Sequence, residues 1–158
     1  MAKNTIKKAP ITISKVFPAT HSKAGEPTHF RQKVINQFDG VDGKKHTIRS
    51  NYSWWARKFE SISIGEMYLS LREWTGKPYN SPQEEWLQLH KIGLQQIEMV
   101  YGSDDAYPRV WIDNKEVAIQ EVAKNDGLSV EDFVEWFFGI NKENTFEGVV
   151  IHFTDFRY

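Results

Sequence analysis

Apolar and polar residues alternate along Ile11-Thr12-Ile13-Ser14-Lys15-Val16-Phe17, which is rich in β-branched types and reads as a first strand ended by Pro18. A loop of small and polar residues follows over 18–27. The spacing then changes: Phe30, Val34 and Phe38 recur at i, i+4, i+8 with Ile35 beside them, which predicts an amphipathic helix over 29–38 with Thr28 as its N-cap. Asp39, Gly40, Asp42 and Gly43 stop it, and residues 44–49 read as a short strand. Ser50 or Asn51 caps a second helix over 52–61, with Trp55, Phe59 and Ile62 facing inward and Arg57 and Lys58 outward.

Strands follow. Met67–Trp74, Ile92–Val100 and Tyr107–Ile112 carry the pattern, while 77–82 is a turn-rich link and 85–89 fits either a strand or a helical turn. Residues 116–125 read as a short helix. Another spans 130–138, where Ser129 and Asp132 form a capping-box-like pair and Phe133, Trp136 and Phe137 keep helical spacing. Thr145–Phe153 closes the chain as an alternating strand. Strands interrupted by helices in blocks predict an α+β fold, a mixed sheet or small barrel covered by helices. Residues 1–10, Lys-rich and without apolar period, are expected to form a flexible tail before one domain over 11–158.

The aromatic share is 14% with six Trp, enough for a core and against disorder throughout. The chain has no Cys, which excludes disulfides and thiolate-held zinc or iron–sulfur clusters. No apolar run reaches the roughly 20 residues of a bilayer span, and the N-terminus lacks the apolar core of a secretory signal, so a cytoplasmic protein with no membrane partner is expected. The formal charge of −1 hides an asymmetry: residues 1–60 hold 12 Lys/Arg against 4 Asp/Glu, and residues 61–158 hold 8 against 17. Either the halves intermix into surface ion pairs, or one basic face serves a polyanion.

Candidate chemistry concentrates at Lys44-Lys45-His46-Thr47-Ile48-Arg49 and the aromatic cluster after it, where Tyr52 or Trp54 offers a stacking face for a base. The bland alternative is a Lys-guarded strand edge. In an extended strand Lys45, Thr47 and Arg49 share one face and Lys44, His46 and Ile48 the other, so Lys44 meets Thr47 only if the chain bends near Gly43. Asp126 sits before Gly127 where a turn former is ordinary. His21 and His29 lie eight apart across a Pro and a Gly, without metal-ligand spacing, and neither a metal nor a cofactor is expected. Phosphate-loop, dinucleotide and nucleophile-elbow motifs are missing from the sequence.

The 44–49 segment resembles the signature of the ASCH domains, a group of PUA-like β-barrels, whose motif runs roughly Gly-x-Lys-x-x-Thr-x-Arg after a helix. Lys44, Thr47 and Arg49 keep its spacing; Asp42 stands where the Gly belongs, and Gly43 is one place late. His21, Ala24-Gly25-Glu26-Pro27-Thr28 with Phe30, Trp74-x-Gly76-Lys77-Pro78-Tyr79, and Asp126-Gly127-Leu128-Ser129 with Asp132-Phe133 and Trp136-Phe137 are similar to the bacterial and phage branch. The resemblance implies a small mixed β-barrel with helices packed around a cleft, and RNA or a modified nucleoside or nucleotide as partner. Bound there by Lys45, His46, Arg49, Tyr52, Trp54 and His21, the ligand would not be turned over. Characterised relatives instead deacylate acetylated cytidine, which would assign catalysis to Lys44, Thr47 and, in place of their Glu, the shorter Asp126.

Overall fold

The computed structural model describes residues 5–142 and 144–158. Its elements run β1 (Lys7–Thr12), α1 (Phe30–Phe38), β2 (His46–Arg49), α2 (Tyr52–Ser63), β3 (Met67–Trp74), β4 (Gln83–Leu89), β5 (Gly93–Tyr101), β6 (Arg109–Ile112), β7 (Lys115–Val117), α3 (Ile119–Asn125), α4 (Val130–Phe138) and β8 (Asn144–His152). The class is α+β, as the alternation of strand and helix periods implies. Two sheets carry it, a three-stranded one in the order β1-β3-β4 and a five-stranded one in the order β2-β8-β5-β6-β7. Strand pairing does not close them into a barrel among the described residues.

Strand β8 organises the larger sheet. It pairs antiparallel with β2 on one side and with β5 on the other, His152 standing opposite both His46 and Gly93. Its alternation splits the interior: Val149 and Ile151 enter a core with β1, β3, α1 and α2, while Val150 enters a second core with β5, β6, α3 and α4. In the smaller sheet β1 pairs parallel with β3, Lys7 against Met67 through Thr12 against Arg72. Lys7–Pro10 are therefore strand and not tail; Pro10 is tolerated because β1 lies at an edge. Residues 1–4 of the expected tail lie outside the described residues.

Other boundaries shift for identifiable reasons. Asn51, at φ 66°, caps α2 by accepting from the Trp54 backbone N–H, and Ser129 caps α4 by accepting from Asp132. Thr28 is not the α1 cap residue, which is His29 in the left-handed region; the Thr28 hydroxyl donates to the Ser14 carbonyl and accepts from the Phe30 N–H. The stretch 85–89 resolves as strand, paired along β3. Strand β7 takes up the start of the expected helix over 116–125, because Asp113 and Asn114, both at positive φ, turn β6 tightly back on itself.

Gly43 lets the chain pass close against the backbone of α1 before β2. A Cβ there would be driven into the Lys33 carbonyl oxygen of α1, the atom that accepts from the Lys44 backbone N–H at 3.0 Å. Gly43→Ala must push α1 and the 41–45 loop apart. The expected loss is about 1–3 kcal/mol in urea unfolding, with an unchanged m-value.

Candidate functional site

β2 begins only at His46, so Lys44 and Lys45, which follow the close approach at Gly43, escape strand alternation with Thr47 and Arg49. Lys45 donates its backbone N–H to the Asn125 carbonyl at 2.7 Å, pinning the segment to the turn between α3 and α4. Lys44, Thr47, Arg49 and Asp126 then line one cavity of about 130 Å³, with Phe30 and Trp136 among its walls. Phe137 adds a third ring and Ser14 is its solvent-exposed member.

Lys44 is 2% exposed, yet each ammonium hydrogen has somewhere to go. Nζ donates to the Asp126 carbonyl at 2.7 Å and to Asp126 Oδ1 at 3.0 Å, and lies 4.2 Å from the Phe30 ring centroid. Burial pushes its pKa down from the ordinary lysine value. Asp126 opposes the shift, and Arg49 and Lys33 add to it.

Arg49 donates from Nη2 to the Thr12 carbonyl at 2.8 Å. No carboxylate among the described residues forms a salt bridge with it, although burial disfavours its charge. A guanidinium has five N–H donors, and among the described residues the bond to Thr12 is the one side-chain hydrogen bond that Arg49 makes. Thr47 is buried on the same wall, outside the hydrogen bonds that tie down Lys44, His46 and Arg49.

His46 is fully buried behind Asp126 and is not among the residues lining this cavity. Asn125 Nδ2 donates to the Tyr158 hydroxyl at 3.1 Å. The Asp126 carboxylate can only accept, so His46 Nδ1–H donates to Oδ1 at 3.3 Å and the bare Nε2 accepts the Tyr158 hydroxyl proton at 2.6 Å. Burial lowers the His46 pKa, so the ring is the neutral Nδ1–H tautomer. This chain fixes Asp126 from behind while Lys44 holds it from the front. Nothing in the spacing of Tyr158 signals that role.

The other expected ligand residues lie elsewhere. His21 is 4% exposed, with Nε2 against the Asp132 carbonyl at 3.1 Å and its ring beside Phe17 and Trp136; it braces the 17–28 loop on α4, behind the cavity wall. Trp54 is exposed at 42% and packs edge-on to Trp55. Tyr52 borders a separate hollow of about 430 Å³ with Trp111 and three carboxylates, Glu98, Asp113 and Glu147. Lys45 faces a third hollow, its Nζ 4.7 Å from the Phe156 ring. The cavity rings are thus Phe30, Trp136 and Phe137, which helical spacing had marked only as core.

Among the described residues no group of three or more His, Asp or Glu is arranged to hold a metal ion, and no helix is long and apolar enough to cross a membrane. No protein-family model, curated protein or solved structure matches the chain.

The buried histidines set an acid limit on stability. Burial, with His46 and Arg157 nearby, lowers the His152 pKa to about 3; its Nε2 donates to Gln95 Oε1 at 2.9 Å and its Nδ1 has no partner among the described residues. His46 shifts in the same direction. Above the ordinary value of 6.5 both rings are neutral folded or unfolded. As pH falls below it the unfolded chain takes up protons that the fold refuses, so stability falls until the folded pKa is passed. The unfolding free energy from urea titrations should drop from pH 7 to pH 4, by up to about 1.4 kcal/mol per pH unit for each histidine. His152→Asn should flatten that slope, and an unchanged slope would remove His152 from the account. In Tyr158→Phe, nitrogen chemical shifts of His46 should move away from the pure Nδ1–H form.

Proposed function

We propose that this chain is an ASCH-type, PUA-like domain that binds a nucleotide or modified nucleoside, free or within RNA, by its base or acylated-base end. The observation that carries the reading is the convergence of Lys44, Thr47, Arg49 and Asp126 on one ring-walled cavity, with most of the Arg49 donors uncommitted. Uncommitted guanidinium donors, a hydroxyl and aromatic faces match the carbonyl, ring nitrogens and π-face of a pyrimidine. At about 130 Å³ the cavity is smaller than the roughly 300 Å³ at the low end of whole-ligand sites, so it admits a ring or an acyl group and leaves the sugar outside. The barrel of the PUA-like class would here be an open pair of sheets sharing a core.

A second reading, hydrolysis of N-acylated cytidine, is favoured by the state of Lys44. The Lys44–Asp126 pair shares one transferable proton, and burial pushes the Lys44 pKa down, so passing that proton to Asp126 would give a neutral amine beside a carboxylic acid. In that neutral form Lys44 would take the Thr47 hydroxyl proton as Oγ1 bonds to the acyl carbon. Arg49 would hold the oxyanion, and Asp126 would give its proton to the departing amine. The pair is then ionised. Asp126 would deprotonate a water that attacks the Thr47 ester, Lys44 would return a proton to Thr47, and the products are cytidine and a carboxylic acid.

Tryptophan fluorescence titrations with cytidine and N4-acetylcytidine test the first reading, and chromatography of the acetylated compound tests the second. Binding should weaken about tenfold or more in Arg49→Gln, since hydrogen bonds to a charged donor are lost. If turnover occurs, Thr47→Val should abolish it while leaving the complex detectable. Folded wild-type protein that neither quenches nor releases cytidine would end both readings.

A further inference from the structure

The turn that supplies Asp126 to the cavity has a second side. Asn125, Gly127 and Ser129 border a hollow of about 300 Å³, and Lys33 of α1, Lys45 before β2 and Lys124 of α3 line it with them. Gly127 stands between the two sites. At φ +83°, its missing side chain would meet Lys44 Cβ at 3.3 Å on one side and Lys33 Cδ at 3.4 Å on the other. Neighbouring lysines are thus sent to opposite destinations, Lys44 to the cavity and Lys45 to the hollow.

The three cations come from three different segments and meet little opposing charge. Lys33 donates to the Gly127 carbonyl at 2.8 Å, a neutral acceptor, and Lys45 lies over the Phe156 ring. Lys124 reaches Asp42 at 3.7 Å, but both are largely solvent-exposed, where such a pair holds weakly. Three ammonium groups against the single carboxylate of Asp42 leave an excess of two positive charges around one concave site. Burial lowers the Lys33 pKa, the charge of Asp132 opposes that shift, and an anion in the hollow would oppose it further. A group with close to two negative charges and several acceptor oxygens satisfies separate ammonium donors arriving from different directions.

We infer that this hollow binds a phosphate group. Its source is either the phosphate of the nucleotide whose base end enters the cavity or a backbone phosphate of RNA. Only that connection rests on the proposed function; the phosphate site itself does not.

Amide chemical shifts of the folded protein read out four additions: inorganic phosphate, cytidine, cytidine 5′-monophosphate, and a short cytidine-bearing oligoribonucleotide without terminal phosphate. Phosphate should move the signals of Lys45, Lys124 and Ser129, and the double variant Lys45→Gln/Lys124→Gln should abolish the movement. Thr47→Val, altered only in the cavity, should keep it. Cytidine monophosphate should bind about tenfold or more tightly than cytidine, a gap that the double variant closes. Equal affinities of these two with tighter binding of the oligoribonucleotide would assign the phosphate to the RNA backbone. Phosphate binding without any cytidine binding would support the hollow and sink the cavity reading. Unmoved signals with phosphate, or the same movement with chloride at equal ionic strength, would overturn the inference.

Discussion

One ion pair carries the geometry of the candidate site. Lys44 and Asp126 are 82 residues apart in sequence and almost without solvent, and each is the other's partner of opposite charge. Removing one partner would strand a buried charge, whereas the pair together ties the start of β2 to the turn between two helices. The backbone contact from Lys45 to Asn125 runs beside it, so position and orientation are fixed together. His46 and Tyr158 then complete the hydrogen bonding of the carboxylate from the core side. Asp126 is therefore both a turn residue and a buried acceptor, two roles that its place before Gly127 could not separate.

The contrast between the cavity and the hollow across Gly127 is one of dielectric as much as of charge. In the cavity, burial works against ionisation of Lys44 and Arg49, and the fold supports them with one carboxylate and a few carbonyls. In the hollow, Lys45 and Lys124 remain near water, where charge is inexpensive to keep but weak in effect. A ligand reaching across both would meet directional donors at one end and diffuse attraction at the other. Basic residues gathered in the first 60 positions serve both ends, while acidic residues of later segments supply Asp126 and the carboxylates around Tyr52. The charge asymmetry of the chain is thus partly a division of sites and not only a scatter of surface pairs.

Much of the element order could be read from periodicity because each segment is short and cleanly patterned. Met67–Trp74 alternates and lies on a covered sheet, and α4 repeats Phe133 and Phe137 on the face that enters the second core. Lys44, Thr47, Arg49 and Asp126 were legible as a group through the motif, although extended-strand alternation would have parted Lys44 from Thr47. That alternation failed because β2 starts only at His46, after the close approach of Gly43 to the backbone of α1. Phe30 and Trp136 were legible as apolar, but which of two adjoining spaces an apolar ring faces depends on tertiary packing. Tyr52 and Trp54 illustrate the reverse: aromatic residues close to a motif in sequence can be directed away from it by a helix. Tyr158 joins the site through contacts spanning 112 residues, beyond any local pattern.

The placement of β8 has a consequence for how the molecule comes to exist. It is made after every strand it pairs with, and until it emerges neither β2 nor β5 has the neighbour that lies between them. Pairings of such wide sequence separation close late, because the loop entropy is lost before the contacts compensate it. During synthesis the nascent chain therefore exposes open strand edges and half of two cores at once. Prolonged attachment to the ribosome would favour chaperone capture of that intermediate, and early termination before β8 would leave a sticky fragment instead of a smaller folded protein.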